Sequence, residues 1–193
     1  MRVAIVGTGG IGRGYAAFLA AAGHAPVLWS PSGRALHDFA DGAHLVATGQ
    51  IKGEFNVPVV STCAEAVAGA DAVIFAVQAN GFRAAIDAVA PSIGPGQTII
   101  FSSHCSFAAL HMHRRLAARE LTVPVVSWST TALTARKSGT RSVGISGIRE
   151  RLDMATLPVD HAPLGFAACR ALFGDRFELR DDVLAIMLSN LNP

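Results

Sequence analysis

The hydrophobic residues of this chain fall in short uninterrupted runs separated by segments with helical periodicity. The first run, Arg2–Val6, has the length and β-branched content of a buried strand. Similar apolar runs recur at residues 24–30, 72–77, 97–101 and 123–128. Helix-forming segments separate them, at residues 15–22, 63–68, 81–90 and 107–120. This alternation predicts an α/β fold of the Rossmann type, with a doubly wound, mainly parallel sheet.

Two stretches depart from this alternation. Residues 44–61 contain short apolar groups between glycines, which indicates a hairpin or an extended excursion. Residues 130–158 are rich in Thr, Ser, Gly and β-branched residues, and they predict a few short antiparallel strands that close the sheet. The last predicted elements are a helix at 163–173, a strand at 176–179 and a strongly apolar helix at 182–191.

The first strand runs directly into Gly7, Gly9 and Gly12, which have the G-x-G-x-x-G spacing of a dinucleotide-binding turn. In such a turn the first glycine permits the bend, the second admits the pyrophosphate, and the third lets the helix lie close to the strand. The N–H groups that open the helix then face the phosphates. Glycine-rich turns are common, and Gly10 and Gly14 make this one less specific, so a purely structural turn is the alternative. The predicted cofactor contacts here are Gly7, Thr8, Gly9, Gly10, Ile11 and Gly12.

The end of the second strand is where the adenosine ribose lies in such folds. NAD-binding proteins usually have a carboxylate there, but this chain has Ser30, followed by Ser32 and Arg34. A carboxylate would repel a 2′-phosphate, whereas two hydroxyls and a guanidinium can bind one. The sequence therefore favours NADP(H) over NAD(H). The alternatives are that the serines only form a turn and a helix cap, with Arg34 solvated, or that Asp38 or Asp41 binds the ribose.

Polar residues also follow the next two strands, at the sheet edge where ligands of doubly wound folds bind. Val77 ends one strand and Gln78 and Asn80 follow it; these three are predicted to face the cofactor, although Asn80 can equally cap the helix that follows. His104 lies in a polar loop after the other strand and is a candidate for contact with the nicotinamide or the substrate. The alternative for this histidine is an ordinary structural role.

Composition argues against several other classes of protein. Of the 193 residues 51% are apolar and 16% are charged, and the mean hydropathy is +0.40. No apolar run reaches the roughly 18 residues of a membrane span, and the N-terminus lacks the pattern of a signal peptide, so we expect no membrane partner. The net charge of +2 comes from scattered basic residues, which argues against nucleic acid as a partner.

Cysteine and histidine usage predicts a cytoplasmic protein without a metal site. Cys63, Cys105 and Cys169 are far apart and lack metal-ligand spacing, which is typical of packed thiols in a reducing compartment. His111 and His113 would lie on different faces of one helix, which is poor geometry for a shared metal ion.

With this order of elements, the chain resembles the NAD/NADP octopine/nopaline (opine) dehydrogenase family over essentially its full length. The resemblance rests on the glycine turn and on the strands at 27–30, 71–77 and 96–101. Its most specific part is residues 188–193, Leu-Ser-Asn-Leu-Asn-Pro, which look like the family's Ser-Asn-x-Asn-Pro sequence at the entrance to a second, helical domain.

The resemblance implies an enzyme that joins an amino acid to a 2-keto acid and reduces the resulting imine with NAD(P)H. Residues 1–180 would be the dinucleotide-binding domain, and residues 181–193 would begin the helix that leads into the second domain. Asn190 and Asn192 would then lie near the cleft between the domains, unless they only cap the helix. The family's proton-transfer histidine follows the Asn-Pro sequence, so we expect the catalytic residue beyond Pro193 and the isolated chain to be inactive.

Two departures from the family pattern leave open which substrate the enzyme uses and whether NAD is its cofactor. The family's glycine-rich loop is replaced here by residues 102–106, Ser-Ser-His-Cys-Ser, and its frequent acidic residue is replaced by Ser30. A ketopantoate-reductase-like or 3-hydroxyacid-dehydrogenase-like enzyme is one alternative, which requires a catalytic lysine and asparagine. Lys52 and Lys137 are the lysines available, and we expect neither at the cleft. A non-catalytic dinucleotide-binding module is the other alternative.

The last predicted helix is apolar nearly all round, so it should have packing partners on several sides. Asp181 or Asp182 is positioned to cap its start. We expect a homodimer through this helix or poor solubility, and the alternative is that the helix folds back onto the sheet.

Overall fold

A computed structural model describes residues 1–39, 44–103 and 106–188. Its main sheet has seven strands. In spatial order these are β11 (Phe177–Leu179), β10 (Leu152–Leu157), β7 (Val125–Trp128), β6 (Thr98–Phe101), β5 (Ala72–Phe75), β1 (Arg2–Val6) and β2 (Ala25–Trp29). The five strands from β7 to β2 are parallel, while β10 pairs with β7 in the antiparallel direction and β11 runs parallel to β10. The predicted α/β Rossmann fold with a mainly parallel sheet is therefore confirmed.

Seven helices are described: α1 (Gly10–Ala21), α2 (Arg34–Asp38), α3 (Cys63–Val67), α4 (Phe82–Val89), α5 (Ser106–Ala117), α6 (Ala162–Phe173) and α7 (Val183–Leu188). Single 3₁₀ turns occur at Ala79–Gly81, Ala90–Ser92 and Val159–His161. Side chains of α1 and α6 pack on one face of the main sheet, and those of α3, α4 and α5 pack on the other. Both faces of the apolar strands are thus covered, as their sequences predicted. No helix in the described ranges is long and apolar enough to cross a membrane.

A second sheet of four strands packs on the outer side of α1. Its strands, in spatial order, are β4 (Gly53–Phe55), β3 (Leu45–Gly49), β9 (Ser142–Ile148) and β8 (Leu133–Lys137). The predicted hairpin in 44–61 is confirmed as β3 and β4. The prediction that the strands of 130–158 all close the main sheet is wrong for β8 and β9, because β9 pairs with the distant β3; β10 alone joins the main sheet.

Glycines in α1 allow β8 to approach the helix closely. An ideal Cβ on Gly10 would lie 2.8 Å from Ala135 O and 2.9 Å from Lys137 N, and one on Gly14 would lie 2.8 Å from Leu133 Cδ1. Any larger residue would force the strand away from the helix. Gly10 and Gly14, the two glycines outside the G-x-G-x-x-G spacing, are therefore positions where the helix packs against β8. Helix α1 begins at Gly10, five residues before the start predicted from the apolar pattern.

The C-terminal helix α7 folds back onto the chain's own sheet. Val183 and Ile186 are buried in a small cluster with Ala155 of β10. Asp182 caps the helix, since its Oδ1 accepts from the backbone N–H groups of Leu184 and Ala185 at 2.7 and 2.8 Å. The apolar face that suggested a dimer thus has an internal partner, and the structure gives the homodimer no support.

Candidate dinucleotide site

Two of the three glycines in the turn between β1 and α1 occupy positions that no larger residue can occupy. Gly7 has φ +125°, and a Cβ there would lie 2.5 Å from Ala76 O; a Cβ on Gly12 would lie 1.9 Å from Gly7 O. Both glycines are therefore required by the chain's own packing. Gly9 differs, because its φ is −74° and nothing lies within 4 Å of its ideal Cβ. The protein alone gives no reason for a glycine at this position.

The start of α1 is open to a ligand. Gly9 is the N-cap residue and carries no side chain to cap the helix, and no acidic residue lies in the first turn. The first N–H groups of a helix have no partner within it, and they form the positive end of the helix dipole. The first bond of the helix runs from Arg13 N to Gly9 O at 3.0 Å. An anion such as a pyrophosphate fits this position without any change in the chain.

A cleft of about 440 Å³ lies beside this helix start. Its floor is the carboxyl edge of the main sheet and its wall is β8. The lining residues are Gly9, Gly10, Ile11, Ala76, Val77, Gln78, Ser102, Ser103, Thr131, Ala135, Arg136 and Lys137. Five predicted site residues (Gly9, Gly10, Ile11, Val77 and Gln78) therefore come together in one cleft. Gly7, Thr8 and Gly12 form the turn behind it, and Asn80 lies outside this lining, in the turn Ala79–Gly81.

The floor of the cleft is held by buried hydrogen bonds. Ser102, which is 3% exposed, donates from Oγ to Phe75 O at 2.8 Å. The hydroxyl of the fully buried Tyr15 accepts from Ala132 N at 3.0 Å, which ties α1 to the segment that leads into β8. Burial raises the pKa of the Tyr15 hydroxyl well above its ordinary value, so the phenol stays neutral. The first bond joins the ends of two neighbouring strands at the sheet edge, and the second holds the start of β8 against α1.

The segment after β2 forms a compact turn next to the glycine turn. Gly7 N donates to Trp29 O at 2.8 Å, so Ser30 follows directly beside the glycines. Ser30 Oγ and Ser32 Oγ are 3.0 Å apart, and Gly33 N donates to Ser30 O at 3.1 Å. The turn exists, but neither serine caps α2, whose N-cap is Gly33 in the left-handed conformation. Arg34 is the first residue of α2, and its side chain lies outside the described part of the structure.

An ion cluster joins the glycine turn to α2 and β8. The side chain of Arg13 is 1% exposed, and its guanidinium donates to Thr8 O at 2.9 Å, to Thr140 O, and to Asp38 Oδ2 at 2.7 Å. Lys137 Nζ lies 3.2 Å from the same Asp38 oxygen. The hydrogen bond from Arg13, followed by that from Lys137, lowers the pKa of Asp38. Asp38, an alternative ribose ligand, is thus already engaged by two cations.

Lys137 lies where the sequence did not place it. We expected neither lysine at the cleft, but β8 folds against α1 and carries Lys137 into the lining. Arg13 was not predicted as a site residue either, because it lies in an Ala-rich helix and is buried by partners 25 and 127 residues away in the chain. The short antiparallel strands of residues 130–158 were predicted, but not the second sheet to which β8 and β9 belong.

Several other predicted residues lie outside the described ranges or away from the cleft. Asp41, His104, Cys105, Asn190 and Asn192 all fall outside the described residues. Asn80 does not cap α4, whose N-cap Gly81 has no side-chain bond. Cys169 is buried, its Sγ accepts from Trp128 Nε1 at 3.4 Å, and burial raises its pKa to about 12, so this thiol packs as predicted.

The family is decided by comparison of the sequence with models of known families. The model described as ketopantoate reductase PanE/ApbA matches residues 3–155. The chain belongs to this family. The match covers the glycine turn, all the residues that line the cleft and all four strands of the second sheet. None of the curated proteins matches this PanE/ApbA chain significantly.

Solved structures with the same fold include both enzyme types considered above. Octopine dehydrogenase with NADH and L-arginine has a TM-score of 0.80 and 18% identity, and the match covers 98% of this chain and 51% of that one. Yersinopine dehydrogenase with NADP⁺ has a TM-score of 0.74 and 17% identity, over 98% and 49%. A PanE/ApbA family ketopantoate reductase from Ralstonia eutropha has a TM-score of 0.67 and 24% identity, over 94% and 57%.

These matches confirm the resemblance to the opine dehydrogenases at the level of the fold. The chain spans about half the length of the octopine and yersinopine dehydrogenase structures. The family and its neighbours are oxidoreductases, and the fold is that of an NAD(P)-dependent oxidoreductase.

Proposed function

We propose that this chain binds a nicotinamide dinucleotide in the cleft beside α1, as the cofactor-binding part of an oxidoreductase. The observation that carries the proposal is Gly9, a glycine with ordinary backbone angles and no protein atom near its ideal Cβ. Its place at an uncapped helix start is where a pyrophosphate needs close backbone approach. Gly7, Thr8, Gly10, Ile11 and Gly12 complete the phosphate turn, and Val77 and Gln78 face the nicotinamide half.

We propose NADP(H) as the preferred form of the cofactor. Ser30 and Ser32 form a polar turn where NAD-binding proteins usually present a carboxylate, and Arg34 opens the next helix. Asp38, a nearby carboxylate, is neutralised by Arg13 and Lys137. A 2′-phosphate therefore meets a region with surplus positive charge, and Ser30, Ser32 and Arg34 are its proposed ligands. The NADP⁺ complex of yersinopine dehydrogenase shows that this fold accepts the phosphorylated form.

The proposed reaction is the reductive joining of an amino acid and a 2-keto acid, as in opine dehydrogenases. Residues 189–193 support it through their likeness to the family's Ser-Asn-x-Asn-Pro sequence. The bound cofactor supplies the hydride. The role of the described residues is to bind and orient the dinucleotide, while Asn190, Asn192 and His104 are proposed to face the substrate. Residues 1–180 are the proposed cofactor domain, and 181–193 lead toward a helical domain that supplies the catalytic histidine.

A second candidate reaction is the direct reduction of a 2-keto acid without an amine. The match of the ketopantoate reductase model over residues 3–155 favours it. Such enzymes need a catalytic lysine; of the described lysines, Lys52 lies outside the cleft lining and Lys137 lines the cleft with its Nζ 3.2 Å from Asp38 Oδ2. Oxidation of NADPH by the protein encoded by the full gene, with a 2-keto acid alone and with added amino acids, separates the two reactions. Strict dependence on the amino acid supports the opine reaction, and turnover without it supports the second.

The cofactor proposal is tested by comparing Gly9→Ala with Gly94→Ala. Neither glycine has a protein atom within 4 Å of its ideal Cβ, and neither has a positive φ, but Gly94 lies in a turn at the opposite edge of the sheet. We expect both variants to keep the wild-type melting temperature. In a calorimetric titration Gly9→Ala should lose NADPH affinity at least tenfold, because its methyl group occupies the pyrophosphate position, while Gly94→Ala binds normally. Equal affinity of the two variants would contradict the proposed site.

A further inference from the structure

The second sheet brings a cation to the proposed phosphate site. Lys137 is the last residue of β8, and it lines the cleft together with Gly9 and Gly10. Its backbone N lies 2.9 Å from the position that a Cβ on Gly10 would occupy, so this strand end touches the first turn of α1. The backbone of Lys137 and the N–H groups of that turn therefore lie next to each other at the cleft.

The positive charge of Lys137 is not fully balanced by its neighbours. Arg13 and Lys137 share one oxygen of Asp38, at 2.7 and 3.2 Å. The Arg13 side chain is 1% exposed and has no solvent to turn to, so the Asp38 carboxylate is its required counter-ion. Lys137 is 48% exposed, and its contact with Asp38 is the longer one. Two cations against one carboxylate leave a net positive charge, and the half-exposed cation of the two is Lys137.

A lysine held in this way can exchange its partner with little loss of free energy. When an anion enters the cleft, Lys137 can turn from Asp38 to the anion while Asp38 keeps its bond to Arg13. The ammonium is a flexible point charge on a four-carbon stem, and it binds phosphate without demanding a fixed orientation. Asp38 in the meantime holds the lysine near the cleft and limits the orientations that it must lose on binding.

We propose that Lys137 binds a phosphate group of the dinucleotide, as a cofactor ligand supplied by the second sheet. The inference rests on the proposed function and deepens it, because it adds a residue from outside the strand–turn–helix unit to the phosphate site. The shared chemistry is a phosphate monoanion or dianion, and it is either the pyrophosphate beside Gly10 or the 2′-phosphate near α2.

The experiment compares Lys137→Gln with Lys52→Gln, which removes the other lysine, an exposed residue of the turn between β3 and β4 that lies outside the cleft lining. NADPH and NADH are titrated calorimetrically into the wild type, both variants and Lys137→Arg, and thermal melting checks that each is folded. We expect Lys137→Gln to lose about tenfold in NADPH affinity, equivalent to about 1.4 kcal/mol. Lys137→Arg should recover most of the loss, and Lys52→Gln should bind like the wild type.

Two results support the inference and identify the phosphate. An equal loss for NADPH and NADH assigns Lys137 to the pyrophosphate, whereas a loss confined to NADPH assigns it to the 2′-phosphate. A wild type that binds while Lys137→Gln and Lys52→Gln bind equally well overturns the inference and leaves the proposed function intact. A wild type that binds neither nucleotide overturns the proposed function itself.

Discussion

Replacement of Asp38 by asparagine should destabilise the protein through Arg13. The variant keeps a side-chain oxygen at the position of the carboxylate but removes the charge that balances a guanidinium with 1% exposure. Removing one partner of a fully buried pair costs about 3–5 kcal/mol. Here Arg13 keeps its bonds to Thr8 O and Thr140 O, and the Asp38 side chain is 21% exposed, so the loss should be nearer that of a single charge-assisted hydrogen bond, about 2 kcal/mol.

Thermal unfolding measures this loss directly. For a chain of this size, about 2 kcal/mol corresponds to a fall in melting temperature of roughly 4–8 °C. The matched control is Asp175→Asn, which breaks the pair with Arg170, where the side chains are 74% and 56% exposed. Water screens that pair, so no measurable shift is expected. If Asp38→Asn melts at the same temperature as Asp175→Asn, the account of Arg13 as a buried charge that needs Asp38 is refuted.

Three further predictions concern stability and ionisation. The stabilisation by Asp38 should be complete above the ordinary carboxyl pKa of 3.8, decline as the pH falls below that value, and vanish below the lowered pKa of the folded state. The difference in melting temperature between the wild type and Asp38→Asn should therefore shrink in acid. Tyr15 is the one tyrosine of the chain, and the folded protein should show no phenolate absorbance at pH 10.0, where the urea-unfolded protein is about half ionised; a phenolate signal in the folded protein would contradict the burial of this ring. Replacement of Gly9, Gly10 and Gly12 by alanine should lower the melting temperature increasingly in that order. The new Cβ meets nothing at Gly9, backbone at 2.8 Å at Gly10 and backbone at 1.9 Å at Gly12, so Gly9→Ala should show no change and Gly12→Ala should lose about 3 kcal/mol or more of the free energy of unfolding.

The main sheet and its order of elements could be predicted because each strand carries its own signal. β1, β5 and β6 are uninterrupted apolar runs covered on both faces, and the glycine turn fixes the step from strand to helix. The second sheet could not be predicted, because β3 and β9 pair across about 100 residues and neither strand encodes its partner locally. The hairpins were visible in the sequence, but not the surface on which they pack.

The residues of the site also differ in whether the sequence alone reveals them. The glycine turn follows from local backbone demands at Gly7 and Gly12, which the spacing alone expresses. The cluster of Arg13, Asp38 and Lys137 is formed by three separate elements, so its members carry no pattern in the sequence. An arginine in an apolar helix looks like a solvated residue until its distant partners are known.

The central claim, that a dinucleotide binds at the start of α1, is tested most directly by following backbone amide chemical shifts in the ¹⁵N-labelled chain during titration with NADPH. The account predicts saturable shifts at Gly9, Gly10 and Ile11, the N–H groups beside the proposed pyrophosphate, with no change at Gly94 on the opposite edge of the sheet. Binding that saturates while these three amides stay unchanged would contradict it.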